Sequence, residues 1–155
     1  MAGTITALTA QQRAGSDRVN VHLDGEFAFG LALIHALWLK VGQTLSDAEI
    51  AGLKSADSLE LAMKRAVNFV AYRPRTVLEV KRRLRKAGAQ DAEIDAILTR
   101  LKDAGLLDDS SFSEQWVDGR LRSKPRSKKM LAWELKQKGV DTSTIAAATA
   151  AIDDE

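Results

Sequence analysis

Arg73-Pro74-Arg75-Thr76-Val77-Leu78-Glu79-Val80-Lys81-Arg82-Arg83-Leu84-Arg85-Lys86-Ala87-Gly88 returns later in the chain as Lys124-Pro125-Arg126-Ser127-Lys128-Lys129-Met130-Leu131-Ala132-Trp133-Glu134-Leu135-Lys136-Gln137-Lys138-Gly139. Pro74 and Pro125, Leu84 and Leu135, and Gly88 and Gly139 all stand 51 positions apart, with no gap between the copies. A repeat of that length is one supersecondary unit used twice. Each proline bars helical continuation from the residue before it, so a helix should end there. Thr76 and Glu79 have the spacing of a capping box. Gly88 and Gly139 stand where a left-handed C-terminal cap is wanted. Beyond them, Ile94, Ile97, Leu98 and Leu101 form an apolar helical stripe, and Ile145, Ala148 and Ile152 form its weaker counterpart. With the helices that end at the prolines, each copy becomes a three-helix unit.

The rest of the chain fits around this pair. Residues 4–11 and 18–23 read as strands flanking a turn at Ala14-Gly15-Ser16-Asp17, with Val19, Val21 and Leu23 in alternation. Asp24-Gly25 is a hairpin signal, and Glu26-Phe27-Ala28-Phe29 follows as a third strand. A small antiparallel sheet of two or three strands is expected, docked on helix because it is too small to stand alone. A helix is predicted over 31–40, ending before Gly42, and another over 46–56, capped by Ser46 and Glu49. A further helix carries Leu59, Met63, Ala66 and Val70 on one face. Gly105-Leu106-Leu107-Asp108-Asp109 stops one helix and starts the next. In that next helix, Phe112 and Trp116 share one side while Val117 and Leu121 lie on the other, which predicts a helix wedged between neighbours.

The chain is thus read as mainly α-helical: tandem three-helix, helix-turn-helix-like repeats with a small N-terminal antiparallel β segment. The expected divisions are 1–57 for the β segment and short helices, 58–107 for the first repeat and 108–155 for the second. Its 155 residues are nearly half apolar, enough for a real core, and it has no cysteine for a disulfide or thiolate metal site. Met1-Ala2-Gly3-Thr4 lacks the basic and apolar regions of a signal peptide, and the longest apolar run, 31–39, is too short to span a bilayer. A cytoplasmic monomer without membrane attachment is expected.

Charge is concentrated in the repeats. Residues 1–60 carry four Lys/Arg against seven Asp/Glu, while residues 61–155 carry nineteen against fourteen. Seven of those basic residues fall within 73–86 and eight within 120–138. Clustered cations of this kind bind phosphates or an acidic protein surface. In the first copy Val77, Val80, Leu84 and Ala87 form the expected buried stripe. Arg82, Arg85 and Lys86 then point away from it, with Lys81 and Arg83 flanking. In the second copy Leu131 and Leu135 face inward, so Lys129, Trp133 and Lys136 face outward together. A basic helix face can be plain solvated surface, but two equivalent ones after two Arg/Lys-Pro-Arg corners favour a binding role. Trp133 has three readings: stacking on a base, anchoring a protein interface, or burial. The first repeat offers it no second exposed aromatic.

Catalytic signatures are lacking. The chain has no glycine-rich phosphate loop ending in Lys-Ser/Thr, His22 and His35 have no matched partners, and Asp108-Asp109 reads as a helix start and cap. No cofactor, metal ligand set or catalytic residue is assigned, and Asp153-Asp154-Glu155 is read as a frayed charged end.

Arg73-Pro74-Arg75-Thr76 with Glu79 and Leu84 resembles the RecX family, regulators of the RecA recombinase. So do Gly105-Leu106-Leu107-Asp108-Asp109 with Phe112, Trp116 and Arg120, and Glu134-Leu135 with Lys138-Gly139-Val140. Arg18-Val19-Asn20-Val21 and Asp24-Gly25-Glu26-Phe27-Ala28-Phe29-Gly30 resemble the β segment of some members. The resemblance implies three-helix repeats lying in the groove of a RecA filament on single-stranded DNA, where they impede ATP hydrolysis and strand exchange. Members commonly carry three repeats, so the third is expected to be absent from this chain. Ser127-Lys128 stands where many members have Gly-Pro, and Trp133 occupies a usually polar position. The residues expected to meet filament or phosphate are Arg73, Arg75, Arg82, Arg85, Lys86, Arg120, Lys124, Arg126, Lys129, Trp133 and Lys136. The implied partners are the RecA nucleoprotein filament and single-stranded DNA, reached directly or through it. The alternative is a helix-turn-helix-type regulator acting on DNA itself.

Overall fold

The computed structural model describes residues 2–12, 16–123 and 126–152. Ala14 and Gly15 of the expected turn, Lys124 and Pro125 of the second corner, and the charged end at 153–155 lie outside them. The chain forms two compact units, Met1–Leu61 and Ala62–Glu155.

In the first unit, β1 (Gly3–Ala10), β2 (Arg18–Leu23), β3 (Glu26–Ala32) and β4 (Thr44–Leu45) make an antiparallel sheet in the order β3-β2-β1-β4. Asp24 and Gly25 join β2 to β3 with φ of 50° and 85°, the two positive values that a primed two-residue hairpin turn requires. Ile5, Val21, Leu23, Phe29 and Leu31 pack with Leu45 and with Ile50 of α2 (Asp47–Tyr72), so the sheet does dock on helix.

Two expectations fail here. The sheet has four strands, because β4 pairs Leu45 with Gly3 and Thr44 with Thr4, and its two residues are too few to register as a strand by alternation. The helix expected over 31–40 is only α1 (Leu33–Ala36). Leu31 and Ala32 instead continue β3 opposite Val19 and Arg18, and Leu31 is fully buried. An ion pair reaching across the unit fixes this outcome. Asp57 of α2 accepts the Ala32 N–H at 2.8 Å and both Arg18 guanidinium nitrogens, at 2.9 and 3.2 Å. The last strand residue is thereby tied to helix rather than released to begin one. α2 itself starts in the expected Ser46–Glu49 capping box and continues unbroken through the two helices expected at 46–56 and 59–70.

The second unit begins within α2 and continues with α3 (Val77–Lys86), α4 (Asp91–Asp103), α5 (Asp109–Ser123), α6 (Lys128–Gln137) and α7 (Thr142–Ala148). Thr76 caps α3 in a reciprocal box with Glu79. α3, α4 and α6 end alike. Gly88, Gly105 and Gly139 take φ of 93°, 74° and 86°, and the next residue's N–H returns to Leu84, Leu101 and Leu135 respectively, at 2.9–3.1 Å. Those three leucines are buried, so each cap also closes over a core side chain. Val80, Leu84, Ile94, Ile97, Leu98 and Leu101 are buried in the first repeat. Phe112, Val117, Leu131, Leu135, Val140 and Ile145 form the core of the second, with Ala148 and Ile152 packed against it.

Two stripe assignments need correction. Ala87 is exposed, because it is the C-cap rather than part of the helical face. Leu121 is also exposed; burial on α5 stops at Val117, and the next turn is closed by Arg120 against Glu134 of α6.

The two repeats meet at the N-terminus of α3. Thr76 is fully buried and its hydroxyl donates to the Lys138 carbonyl at 2.7 Å. The Val77 N–H donates to the Asp109 carboxylate at 2.9 Å. A Cβ on Gly139 would lie 2.5 Å from Leu78, whereas one on Gly88 would meet nothing within 4 Å.

That contrast can be measured. Gly88→Ala should cost about 1–2 kcal/mol, the strain of a left-handed alanine. Gly139→Ala should cost about 1–3 kcal/mol more, because Leu78 must also move. Equal losses in urea melts would show that the repeats do not pack through Leu78. The Arg18–Asp57 contact yields an acid-stability prediction. Burial opposes ionisation of Asp57, but the Arg18 and Ala32 hydrogen bonds outweigh it and hold the carboxyl below its ordinary range. Its stabilisation is therefore complete above about pH 4 and lost as pH falls through the depressed folded value. Asp57→Ala should cost about 3 kcal/mol at neutral pH, the low end for a broken buried pair, since the Arg18 side chain is 23% exposed. The mutant should also lose that part of the acid sensitivity; an unchanged acid limb would refute the assignment.

Candidate basic interface

α3 is amphipathic, and burial of Val80 and Leu84 turns the opposite face of the helix outward. Arg82, Arg83, Arg85 and Lys86 are exposed along it. Arg85 lies 3.7 Å from Asp91, an exposed pair of little strength. Among the described residues Arg82 and Lys86 make no ion pair. On α6, burial of Leu131 and Leu135 turns Lys129, Trp133 and Lys136 outward. Trp133 is 59% exposed, which removes the reading that places it in the core.

The corner residues behave differently. Arg73 is half exposed, donates to the Pro74 carbonyl at 3.2 Å and lies 3.5 Å from Glu79. The Arg75 guanidinium carbon lies over the Phe69 ring, 3.9 Å from its centroid, and Nε donates to the Phe69 carbonyl, while Arg83 approaches the same ring at 5.7 Å. Burial, ahead of the nearby Arg73 charge, lowers the Arg75 pKa, but a guanidinium stays protonated throughout the working range.

The second repeat fills the same three positions with different chemistry. Phe69, Arg75 and Arg83 correspond at the 51-residue offset to Arg120, Arg126 and Glu134. Here a carboxylate replaces the aromatic centre. Arg120 and Arg126 lie 3.4 and 3.7 Å from the two Glu134 oxygens. Neither Nε makes a hydrogen bond, so the attraction is Coulombic rather than a bidentate clamp. Arg120 also lies over Trp116 at 4.3 Å, with Lys138 at 4.6 Å and Phe112 stacked on the indole.

Of the eleven positions singled out from sequence, Arg82, Arg85, Lys86, Lys129, Trp133 and Lys136 stand exposed on α3 and α6, and Arg73 is exposed at the first corner. Arg75, Arg120 and Arg126 are engaged within the fold, and Lys124 lies outside the described residues. One aromatic was missed. Tyr72, at the end of α2, is 84% exposed beside the Arg73-Pro74-Arg75 corner, so the first repeat does present an aromatic. The only sequence signal was its place outside the apolar stripe of that helix. A groove of about 530 Å³ runs from Tyr72 and Arg73 to Phe112 and Gln115. The first unit also exposes Ile34, Leu37, Trp38 and Val41 around and after its short α1. The described residues contain no metal-binding cluster and no helix long and apolar enough to cross a membrane.

Comparison with known proteins agrees with this arrangement. Three family models match consecutively: the regulatory protein RecX N-terminal domain over residues 3–46, the first RecX three-helix domain over 62–101 and the second over 108–148. The regulatory protein RecX of Bacillus licheniformis is 32% identical over 91% of this chain and 54% of its own length. That of Lacticaseibacillus paracasei is 31% identical over 96% of this chain and 62% of its own. This chain thus spans little more than half the length of such relatives. A crystal structure of a regulatory protein RecX superposes with a TM-score of 0.76 at 26% identity, covering 96% of this chain and 73% of that one. Another, from Lactobacillus salivarius, gives 0.60 at 26% identity over 61% of this chain and 62% of its own. With the β segment and both three-helix domains matched in order, the chain belongs to the RecX family of regulatory proteins.

Proposed function

We propose that this protein is a non-enzymatic modulator, mainly an inhibitor, of the RecA recombinase. It binds the RecA filament on single-stranded DNA and limits ATP hydrolysis and strand exchange. The observation that carries this reading is the pair of equivalent helices whose outward positions hold exposed cations, Arg82, Arg85 and Lys86 on α3 and Lys129 and Lys136 on α6. Such a pair suits a periodic polyanionic partner better than a single small ligand. Trp133 on α6 and Tyr72 beside Arg73 add exposed aromatic surface, suited to anchoring on a protein lattice or stacking on an unpaired base. The relatives are named as regulatory proteins, in keeping with a role exerted by binding.

A helix-turn-helix regulator reading duplex DNA is the second reading. Base-edge readout favours Asn, Gln and Arg placed for bidentate contact. The exposed positions of α3 and α6 hold a single amide, Gln137; the others are arginine, lysine, Met130 and Trp133, a composition better fitted to phosphate and protein contact.

Co-sedimentation with ATP-bound RecA filaments, with naked single-stranded DNA in parallel, is the direct test. The chain should pellet with filaments and lower RecA ATP turnover on single-stranded DNA. Phosphate contacts should make log K fall with log salt by roughly 0.7 per contact on single strands. Arg82→Ala, Arg85→Ala and Lys136→Ala should each weaken binding about equally on any sequence and flatten that slope. Filament binding with unchanged ATP turnover would remove the inhibitor role. Loss of binding to one DNA sequence only would favour the second reading.

A further inference from the structure

Ile34, Leu37, Trp38 and Val41 follow the i, i+3, i+4, i+7 spacing of a helical stripe, yet all four are exposed. The Leu37 N–H returns to the Leu33 carbonyl and the Leu39 N–H to that of Ala36, each at 3.0 Å, so a compact turn continues past the end of α1. Its inner side is Ala36, which is buried, and Leu39, which packs on the core of the first unit. Its outer side is Leu33, Ile34, Leu37 and Trp38, with Val41 just beyond, each between 47% and 85% exposed. Together they leave on the order of 700 Å² bare, more than a monomer usually carries in one apolar patch and close to the roughly 800 Å² per partner of a stable pair. The two ends of the segment carry opposite charge. Asp17 lies at the start, where its carbonyl accepts the Leu33 N–H at 2.6 Å, and Lys40 stands at the end. Both are exposed, and neither side chain has an ionic partner among the described residues.

We propose that this surface pairs two copies of the chain about a two-fold axis, in place of the monomer expected from sequence. An isologous contact sets residue i of one copy against residue j of the other, and j against i. With the axis beside Leu37, the two segments 33–41 run antiparallel. Lys40 of each copy then comes opposite position 34 of the other, next to that copy's Asp17. Apolar side chains meet in the middle, and two ion pairs close the rim. Charge also selects this occupant over an anionic one. Lys40 is the only Lys or Arg of the segment, and residues 1–60 carry four Lys/Arg against seven Asp/Glu, an excess that repels a phosphate backbone or an anionic lipid surface. The pairing uses none of the cations of α3 and α6, so a dimer presents both helices twice and binds a repeating partner bivalently.

Sedimentation equilibrium of the full chain, from micromolar to submillimolar concentration, is the test. The mass should approach twice that of the 16.9 kDa chain. Trp38→Arg, at the most exposed position of the patch, should keep the circular dichroism spectrum and weaken pairing roughly a hundredfold or more, because the anchor is lost twice per dimer. Asp17→Lys and Lys40→Asp should each weaken it roughly two- to thirtyfold, since a rim pair is modest but occurs twice. The double variant, Asp17→Lys with Lys40→Asp, should restore it. A monomer throughout that range, a dimer indifferent to Trp38→Arg, or single swaps that the double variant does not rescue would each overturn the proposal. So would Trp38-dependent sedimentation of a monomeric chain with phosphatidylglycerol vesicles, which would assign the face to lipid. A monomer that still pellets with filaments sinks this inference and leaves the preceding reading intact, whereas a dimer that fails to pellet does the reverse.

Discussion

The second unit depends on how the first turn of α3 is satisfied. A helix start leaves several backbone donors without intrahelical partners, and leaving them buried is costly. Within the first repeat, Thr76 and Glu79 deal with two of them by the capping box. The Val77 N–H is met by Asp109, from the opening of α5. The repeats are therefore joined by a polar requirement as well as by apolar contact, and Leu78 against Gly139 fixes how closely they approach. Burial raises the Asp109 carboxyl above its ordinary range even with the Val77 N–H and nearby Lys102 acting against it. The junction thus carries an electrostatic cost in exchange for a defined geometry.

The same framework holds two different charge arrangements. At the first corner, Arg75 and Arg83 share the face of Phe69. At the second, Arg120 and Arg126 share Glu134. An aromatic face and a carboxylate both attract guanidinium groups, the first through its quadrupole and the second through its charge. Either can hold an arginine corner in place. The consequence for binding is that Arg75, Arg120 and Arg126 are largely structural, while Arg73 and the singled-out cations of α3 and α6 are left facing out. A count of basic residues along the sequence cannot separate those two groups.

In the first unit, one carboxylate organises the end of the sheet. Asp57 binds Arg18 from β2 and the N–H of Ala32 from β3, joining positions 25 and 39 residues away. The apolar run at 31–40 has the composition of a helix, yet its first two residues are drawn into β3 by this contact and by pairing with β2. Most of what remains is exposed, including Leu37 and Trp38. A local pattern lost here to a long-range bond, as propensity does when tertiary contacts compete with it.

Some features were written in the chain at short range. The 51-residue offset, the Thr76–Glu79 and Ser46–Glu49 caps, the left-handed glycines at 88 and 139, and the stripe through Ile94, Ile97, Leu98 and Leu101 each need only residues within a turn or two of one another. Periodicity and cap chemistry therefore determined them, and with them the outward direction of Arg82, Lys86, Lys129 and Trp133. Tertiary structure decided the rest: where β3 ends, that Thr44 and Leu45 form a strand, that Leu121 is left in solvent, and that Arg75, Arg120 and Arg126 turn inward. Each of these depends on a partner brought close only by folding, such as Asp57, Gly3 or Glu134. An arginine's direction is set by the nearest aromatic face or carboxylate in space, and sequence spacing alone does not carry that distance.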